Sequence, residues 1–209
     1  MKTPAEYLNK KLPIIPCKEK IPIVKSWQDN DFTIADFKPG DNIGMKMSEY
    51  FDIDIDNPAC KKFLPLYMEE PSAIYGRKSN PNSHYLFKGK AEYKKFTLTK
   101  HFESYYINFP HKACLIEIRS GKDKQSIVPG STINGEEVKW NRLEGIAPYS
   151  RDANKDISKV ALATALSIMF PPKGNRADYL YACACLLAKT KWTNDEIDDF
   201  VYRIALHSG

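Results

Sequence analysis

The sequence predicts an α+β protein in which a domain of mixed sheets precedes a small group of helices. Short segments that alternate apolar and polar residues, such as FDIDID, dominate residues 1–150, and glycine, proline and asparagine separate them. Beyond residue 150, apolar residues recur at helical spacing instead. We therefore expect two domains, at 1–150 and 155–209, joined by the polar segment SRDANKD.

Composition and charge are those of a packed globular protein. Of the 209 residues, 43% are hydrophobic and 12% aromatic, which is ordinary for a folded chain. The 31 basic and 26 acidic residues give a net charge of +5, a mild excess that fits a phosphate-rich partner without establishing one. No apolar run approaches the roughly 18 residues of a membrane helix, and the start MKTPAEYLNKK lacks a signal-peptide core. The five cysteines are scattered, so we do not expect a disulfide framework. Together these features predict a cytoplasmic protein without a membrane partner.

The first domain is predicted to begin with a short helix at 4–11 and an extended apolar segment at 12–16. NIGMKM and FDIDID predict strands, and PACKKFLPLYMEE predicts a helix with Pro58 in its first turn. SAIYGRK and SHYLFKG predict two strands around the turn-forming SNPN. Residues 89–112 lack a clean period and suggest an inserted hairpin or loop. KACLIEIRSG and KQSIVPGSTI predict two strands joined through Gly121, and NGEEVKW predicts a turn followed by a strand.

The second domain is predicted to contain three helices. They correspond to ISKVALATALSIMF, to RADYLYACACLLAKT, and to a third helix that begins at Thr193 with a capping box formed with Glu196. One interpretation is a purely structural bundle with an apolar interior. The other is a unit that binds template phosphates through its basic side chains, and the sequence favours neither. Those side chains are Lys173, Arg176, Lys189 and Lys191.

Three aspartates alternate with isoleucines in FDIDIDNP, residues 51–58. An EF-hand calcium loop is excluded, because its glycine and bidentate glutamate positions hold Asn57 and Phe63. A solvated strand face is one interpretation, although stacked like charges repel and aspartate is a poor strand former. A metal site fits equally well. Carboxylates two residues apart on a strand point the same way, with Cα atoms roughly 6.5–7 Å apart, so they can share divalent ions.

Two later segments favour the metal interpretation. CLIEIRSG places Glu117 in the middle of an apolar strand, where it would be either a third carboxylate of the site or an ordinary outward-facing residue. GRKSNPNSHYLF brings Arg77, Lys78, Ser83 and His84 to the junction of two strands. A lone histidine is usually a structural hydrogen-bonding residue. After a basic, hydroxyl-rich turn, it is better placed to bind an oxyanion such as a triphosphate.

In this order, the motifs resemble those of the primase–polymerase branch of the archaeo-eukaryotic primase superfamily. That family has a D-x-D on a strand, a histidine that begins a strand after a hydroxyl-rich turn, and an acidic residue on a later strand. Here DIDNP, RKSNPNSH and EIRSG are similar to these motifs. The likeness extends to the entry segment Lys20-Ile21-Pro22 with Trp27, and to PGS at 129–131. It reaches a C-terminal segment similar to the helical module that often precedes a helicase.

The resemblance implies a fold and an activity. The fold would be a primase–polymerase catalytic domain of mixed sheets, one half of it similar to an RNA-recognition motif, followed by a helical bundle. The activity would be DNA primer synthesis and extension on a single-stranded DNA template from dNTPs or NTPs. A helicase domain or subunit would be a further partner.

The resemblance also implies a set of site residues. Asp54, Asp56 and Glu117 would hold two Mg²⁺ or Mn²⁺ ions. Asp52 would be solvated or would support the other aspartates from further away. The triphosphate and nucleotide would be bound by His84, Arg77, Lys78, Ser83, Arg119 and Ser131.

Two departures from the family pattern bear on these assignments. The family often has serine two residues before the histidine, whereas this chain has Asn82 there and Ser83 next to it. Some relatives carry a zinc-binding insertion. His101, His111 and Cys114 lie in the matching region, but no C-x-x-C accompanies them, so we do not expect zinc.

Two other functions would use a similar set of residues. A metal-dependent nuclease also clusters carboxylates, but enzymes of the restriction type usually place a lysine two residues after the second acidic group. Here that position, counted from Glu117, is Arg119, and Glu117 is far along the chain from Asp56. A replication-initiation or single-stranded DNA-binding module without turnover is the third hypothesis.

Overall fold

The computed structural model describes residues 1–98 and 114–208, and in these residues it confirms an α+β protein built on an antiparallel sheet. The sheet has eight strands, and a separate two-stranded sheet is formed by β8 and β9. The strands are β1 (Ile14–Lys18), β2 (Ile21–Pro22), β3 (Asn42–Ile55), β4 (Ala73–Arg77), β5 (Asn80–Lys88), β6 (Lys94–Thr97), β7 (Cys114–Ile127), β8 (Thr132–Ile133), β9 (Glu136–Glu137) and β10 (Lys139–Leu143).

Five α-helices and three short 3-10 helices complete the described residues. The α-helices are α1 (Pro4–Asn9), α2 (Leu64–Tyr67), α3 (Ala153–Ile168), α4 (Arg176–Leu187) and α5 (Asn194–Ser208). The 3-10 helices are Trp27–Asp29, Ile34–Asp36 and Pro58–Lys62. None of the helices in the described chain has both the length and the apolar character that a membrane crossing requires.

Strand β3 is the centre of the large sheet and is paired on both edges. One edge pairs with β7, and the other pairs first with β1 and then with β5. The sheet continues outwards from β5 to β4 and β10. Because β3 is 14 residues long and covered on both faces, even its alternating aspartates are shielded from solvent at its C-terminal end.

The two faces of the sheet carry different cores. Ile53 and Ile55 point into a hydrophobic cluster shared with β7 and with the C-terminal helices, including Ile157 and Phe200. Asp52 and Asp54 point to the opposite face, because side chains alternate along a strand. The helices therefore cover the back of the sheet and leave the aspartate face to the other elements.

The first and third C-terminal helices begin at side-chain caps, but α3 begins at Ala153, within the segment SRDANKD that was predicted to be a linker, and not at Ile157. Asp152 accepts a hydrogen bond from the Lys155 backbone amide (3.0 Å) at the start of α3. At the start of α5, Thr193 and Glu196 form the expected reciprocal capping box, with distances of 3.1 and 3.2 Å. The domain boundary near residue 150 and the description of 155–209 as a bundle domain stay predictions.

Two predicted elements of the first domain differ clearly from the structure. The helix expected after Pro58 is a 3-10 helix followed by the single turn of α2, because Pro65 has no backbone N–H to continue the first helix. The two strands expected on either side of Gly121 are one continuous strand, β7, whose register with β3 shifts near that glycine. The hairpin or loop expected at 89–112 falls largely outside the described residues; within it, β6 pairs with β7.

Candidate active site

Three carboxylates converge at the C-terminal end of β3. Asp54 lies on β3, Asp56 follows the strand, and Glu117 on β7 pairs directly opposite Asp54. One carboxylate oxygen from each residue lies within 4.8 Å of the others. Asp54 and Glu117 are buried and Asp56 is half-buried. A set of oxygen ligands this close together suits a hard divalent cation such as Mg²⁺ or Mn²⁺.

His84 lies beside this cluster, because β5 pairs with β3 so that His84 is directly opposite Asp54. Its Nδ1 is 2.8 Å from Asp52 Oδ2, and its Nε2 is 3.7 Å from Asp54 Oδ1. On the neighbouring strand β4, the Tyr75 ring stacks on the imidazole with centroids 4.7 Å apart and planes 6° apart. The histidine is thus held between two aspartates and an aromatic ring.

Arg119 supplies the positive charge nearest the carboxylates in the described residues. It lies two residues after Glu117 on the same face of β7. Its Nη2 is 2.5 Å from Asp54 Oδ2 and 3.2 Å from Glu117 Oε2. The guanidinium therefore bridges two of the three carboxylates.

Of the two alternatives expected for Asp52, the solvated one is wrong, because this side chain is fully buried, and the supporting role stays a prediction. Its Oδ2 accepts hydrogen bonds from Tyr75 OH (3.2 Å) and Ser126 Oγ (2.6 Å) and also faces His84 Nδ1. Tyr75 reaches the aspartate from β4, and Ser126 reaches it from β7 on the other side of β3. Asp52 lies behind His84 and is not part of the three-carboxylate cluster.

The charges of these buried groups depend on one another. Burial raises the pKa of Asp54, and His84 and Arg119 offset this only in part, so its pKa is above the ordinary value. Burial also acts to raise the pKa of Asp52, but His84, Arg119 and the Ser126 hydrogen bond outweigh it, and the pKa is lowered. For His84 the burial effect, which lowers the pKa, is outweighed by Asp52 and Asp54, so the pKa is raised. Asp52 and His84 thus stabilise each other's charge, whereas the ionised form of Asp54 would be stabilised by additional positive charge.

A cleft of about 270 Å³ opens beside Asp54 and Asp56, and Glu117 is not among the residues that line it. Its walls include most of the oxyanion-binding residues predicted from the sequence: Arg77, Ser83, His84 and Arg119, together with Asp54 and Asp56. Basic and acidic groups thus line the same cleft.

Two predicted nucleotide contacts do not line this cleft. Lys78 is exposed and lies in a separate groove with Glu136 and Glu137. Ser131 is buried, and its Oγ accepts a hydrogen bond from the Ile43 backbone amide (2.8 Å), so it holds the start of β3.

Three polar residues that the sequence interpretation did not assign also line the cleft. Lys20 lies in the turn between β1 and β2, within the Lys-Ile-Pro segment that supported the family resemblance. Gln125 lies on β7. Asn80, at the start of β5, donates a hydrogen bond from Nδ2 to the Ile55 carbonyl (3.2 Å). Lys20 and Asn80 lie within segments that carried the family resemblance, whereas Gln125 reaches the cleft through strand pairing between distant segments.

The four basic residues predicted to bind template are not among the residues that line the cleft, and only Arg176 lies in a helix, at the start of α4. Lys173, Lys189 and Lys191 are exposed, and the Arg176 guanidinium lies 5.3 Å from the centre of the Phe170 ring. Of the residues considered for zinc, His101 and His111 lie outside the described residues. Cys114 is the first residue of β7 and is partly buried.

An α+β fold with three clustered carboxylates beside arginine and histidine is compatible with a divalent-metal-dependent nucleotidyltransferase. Comparison with protein families gives the particular family: residues 4–152 match the family described as bifunctional DNA primase/polymerase, N-terminal. The chain belongs to this family, which supports an enzyme of the primase or polymerase type. No curated protein and no solved structure matches the chain.

Proposed function

We propose that the protein is a DNA primase–polymerase that synthesises primers and extends them on single-stranded DNA. The observation that carries this proposal is the cluster of Asp54, Asp56 and Glu117, whose oxygens lie within 4.8 Å of one another at a cleft with basic walls. Nucleotidyl transfer needs both features, because it brings a polyanionic triphosphate against a site that binds divalent cations.

The three carboxylates would hold Mg²⁺ or Mn²⁺, and their chemistry fits these ions. All three offer oxygen, the ligand that both ions prefer, and two of them are buried, so an ion would be held in a low-dielectric setting. When bound, such ions would activate the attacking 3′-hydroxyl and stabilise the departing pyrophosphate. The raised pKa of Asp54 is in keeping with a carboxylate that benefits from added positive charge.

The basic wall of the cleft would bind the triphosphate of a dNTP or NTP. Arg77 and Arg119 each place a guanidinium at the cleft, and a guanidinium binds phosphate oxygens strongly; in Arg119, Nε and Nη2 also contact Glu117 and Asp54. His84 and Ser83 stand between them, and Lys20 adds a further charge. Lys78 and Ser131 remain proposed nucleotide contacts. They have less support than the other residues, because neither lines the cleft.

The template would be single-stranded DNA held along a basic surface. Lys173, Arg176, Lys189 and Lys191 are the candidates for phosphate contacts outside the cleft. We further propose a cytoplasmic replication role and a helicase domain or subunit as partner. Both follow from the family resemblance.

The test is a gel assay with labelled single-stranded DNA, nucleotides and Mg²⁺ or Mn²⁺, with and without a supplied primer. We expect labelled strands to lengthen. Asp54→Asn and Asp56→Asn should abolish the lengthening while the circular dichroism spectrum is kept. A matched control is Asp198→Asn, which removes an exposed carboxylate on α5 and should leave extension unchanged.

The same gel separates the alternative functions. Shortening of the labelled strand with metal alone would indicate a metal-dependent nuclease. Binding without lengthening or shortening would indicate a replication-initiation or single-stranded DNA-binding module. Full extension by Asp54→Asn would contradict the assignment of this site.

A further inference from the structure

Asp52 is a buried carboxylate that the proposed metal site does not use. Its side chain is fully buried and is separate from the cluster of Asp54, Asp56 and Glu117. Within the described residues, its Oδ1 has no hydrogen-bond partner. Burying a carboxylate is costly unless its oxygens are paired, so stability alone is a poor explanation for an aspartate here. The contacts of its other oxygen, Oδ2, indicate a role for Asp52 at the site.

The partners of Asp52 Oδ2 fix one nitrogen of His84. Tyr75 OH and Ser126 Oγ both donate to this oxygen, at 3.2 and 2.6 Å, which anchors the carboxylate. His84 Nδ1 lies 2.8 Å from the same atom. Oδ2 already accepts hydrogen bonds from two hydroxyls, so we infer that it accepts from His84 as well, with the proton of this contact on Nδ1. The second nitrogen, Nε2, is then the one that faces Asp54 and the cleft.

Tyr75 restrains the same ring in a second way. Its ring is nearly parallel to the imidazole, 4.7 Å away, and is itself packed edge-on against Trp140 at 5.2 Å. Strand pairing sets this arrangement, since Tyr75 is directly opposite His84, and His84 is directly opposite Asp54. A ring flip of His84 would break the Asp52 contact and move against the stacked ring.

We propose that Asp52 is a positioning residue that, together with Tyr75 and Ser126, holds His84 with Nε2 directed at the bound triphosphate. The inference rests on the proposed function for the role of the triphosphate, but the Asp52–His84 contact itself does not depend on it. At metal-binding histidines, removing the partner that orients the imidazole typically costs about 10–100-fold in affinity or activity, and we expect an effect near the lower end for His84. Asp52 is thus expected to act through His84 and not on the metal ions.

The kinetic test compares wild type, Asp52→Asn, His84→Ala and the double variant in primer extension, with nucleotide and Mn²⁺ titrated separately. Asp52→Asn should raise the nucleotide KM about tenfold or more, with a smaller change in the Mn²⁺ requirement. In the His84→Ala background the same substitution should have no further effect on KM, because the two residues act as one unit. Equal effects in both backgrounds would overturn the proposal.

A matched control separates positioning from general stability. Asp156 is also buried, accepts a hydrogen bond from Tyr149 OH (2.7 Å) and pairs with Arg151, but lies outside the cleft. Asp156→Asn should lower the thermal midpoint without changing the nucleotide KM. Ser126→Ala provides a milder variant in case Asp52→Asn does not fold. It removes one hydrogen bond from Asp52 and should raise KM in the same direction.

A measurement without nucleotide keeps this inference separate from the proposed function. In ¹⁵N-histidine-labelled protein at one fixed pH, with His84→Gln used for assignment, NMR reports which ring nitrogen carries the proton. We expect a protonated Nδ1 in wild type and loss of that state in Asp52→Asn. An unprotonated Nδ1 in wild type would overturn the inference. A protonated Nδ1 in a protein that incorporates no nucleotide would instead overturn the proposed function alone.

Discussion

Replacing Arg119 with methionine removes the guanidinium that bridges Asp54 and Glu117. In the structure its Nη2 lies 2.5 Å from Asp54 and 3.2 Å from Glu117. The side chains of both acidic partners are 11% exposed, so they have little water to replace the missing hydrogen bonds. The methionine keeps much of the apolar stem of arginine, so the change reports mainly on charge and hydrogen bonding.

The expected cost follows from this burial. Removing one partner of a buried ion pair costs about 3–5 kcal/mol, because the other charge is left unpaired. Arg119 itself is 27% exposed, so we take the lower end, about 3 kcal/mol. For a protein of this size the thermal midpoint falls about 2–4 °C for each kcal/mol, which gives about 6–12 °C. Mn²⁺ should then raise the thermal midpoint more in the variant than in wild type. In the variant the ion does not have to compete with a guanidinium for the carboxylates of Asp54 and Glu117.

The assay is thermal unfolding of wild type, Arg119→Met and Arg203→Met over a series of Mn²⁺ concentrations. Arg203 pairs with Asp199 on α5 at 2.7 Å, but the acidic partner is 54% exposed. Loss of such a surface pair should cost no more than about 1 kcal/mol and should not change the response to Mn²⁺. If Arg119→Met behaved like Arg203→Met in both respects, Arg119 would not neutralise the carboxylate cluster and the reasoning would fail.

Three further predictions concern the backbone, a helix cap and the template. Gly130 has φ of +96°, and an added Cβ would lie 2.1 Å from the Lys2 carbonyl oxygen; Gly130→Ala should therefore destabilise the fold by more than about 2 kcal/mol in urea unfolding. Gly135→Ala, with φ of +77° and open space, should cost only the backbone strain of about 1 kcal/mol, and equal losses would contradict this account. Thr193→Ala should remove about 1 kcal/mol of stability, measured in the same way, because it breaks the cap of α5; no loss would mean that the cap is not needed. Replacing Lys173, Arg176, Lys189 and Lys191 with glutamine should weaken single-stranded DNA binding and lower the salt slope by roughly 0.7 for each phosphate that is no longer bound; unchanged binding and slope would favour a purely structural role.

Local alternation and strand pairing explain why much of the candidate site could be anticipated from the sequence. Asp54 and Glu117 lie on separate strands. In each strand the alternation of polar and apolar residues places the carboxylate on one face of the sheet and the neighbouring isoleucines on the other face, in the core. The pairing register of β3 and β7 is then sufficient to bring the two carboxylates together. His84 follows the same logic on β5.

The burial of Asp52 depends on tertiary contacts that no local pattern contains. The sequence places it on the same face as Asp54, and nothing nearby indicates that Tyr75 and Ser126 close over it. Gln125 reaches the cleft for a similar reason, through the shifted register of β7. The break in the helix after Pro58 was predictable in principle, because Pro65 is visible in the sequence.

The most direct test of the central claim is the rate of nucleotide incorporation on primed single-stranded DNA as a function of Mn²⁺ concentration, for wild type and Glu117→Gln. Glutamine is isosteric with glutamate, so the variant removes charge and one ligand oxygen but keeps the strand. We expect wild-type incorporation to saturate with Mn²⁺ and the variant to lose incorporation or to need at least tenfold more metal, as roughly 1.4 kcal/mol of weaker binding would require. Identical Mn²⁺ curves, or no incorporation by wild type at any concentration, would contradict a metal-dependent nucleotidyl transfer site at Asp54, Asp56 and Glu117.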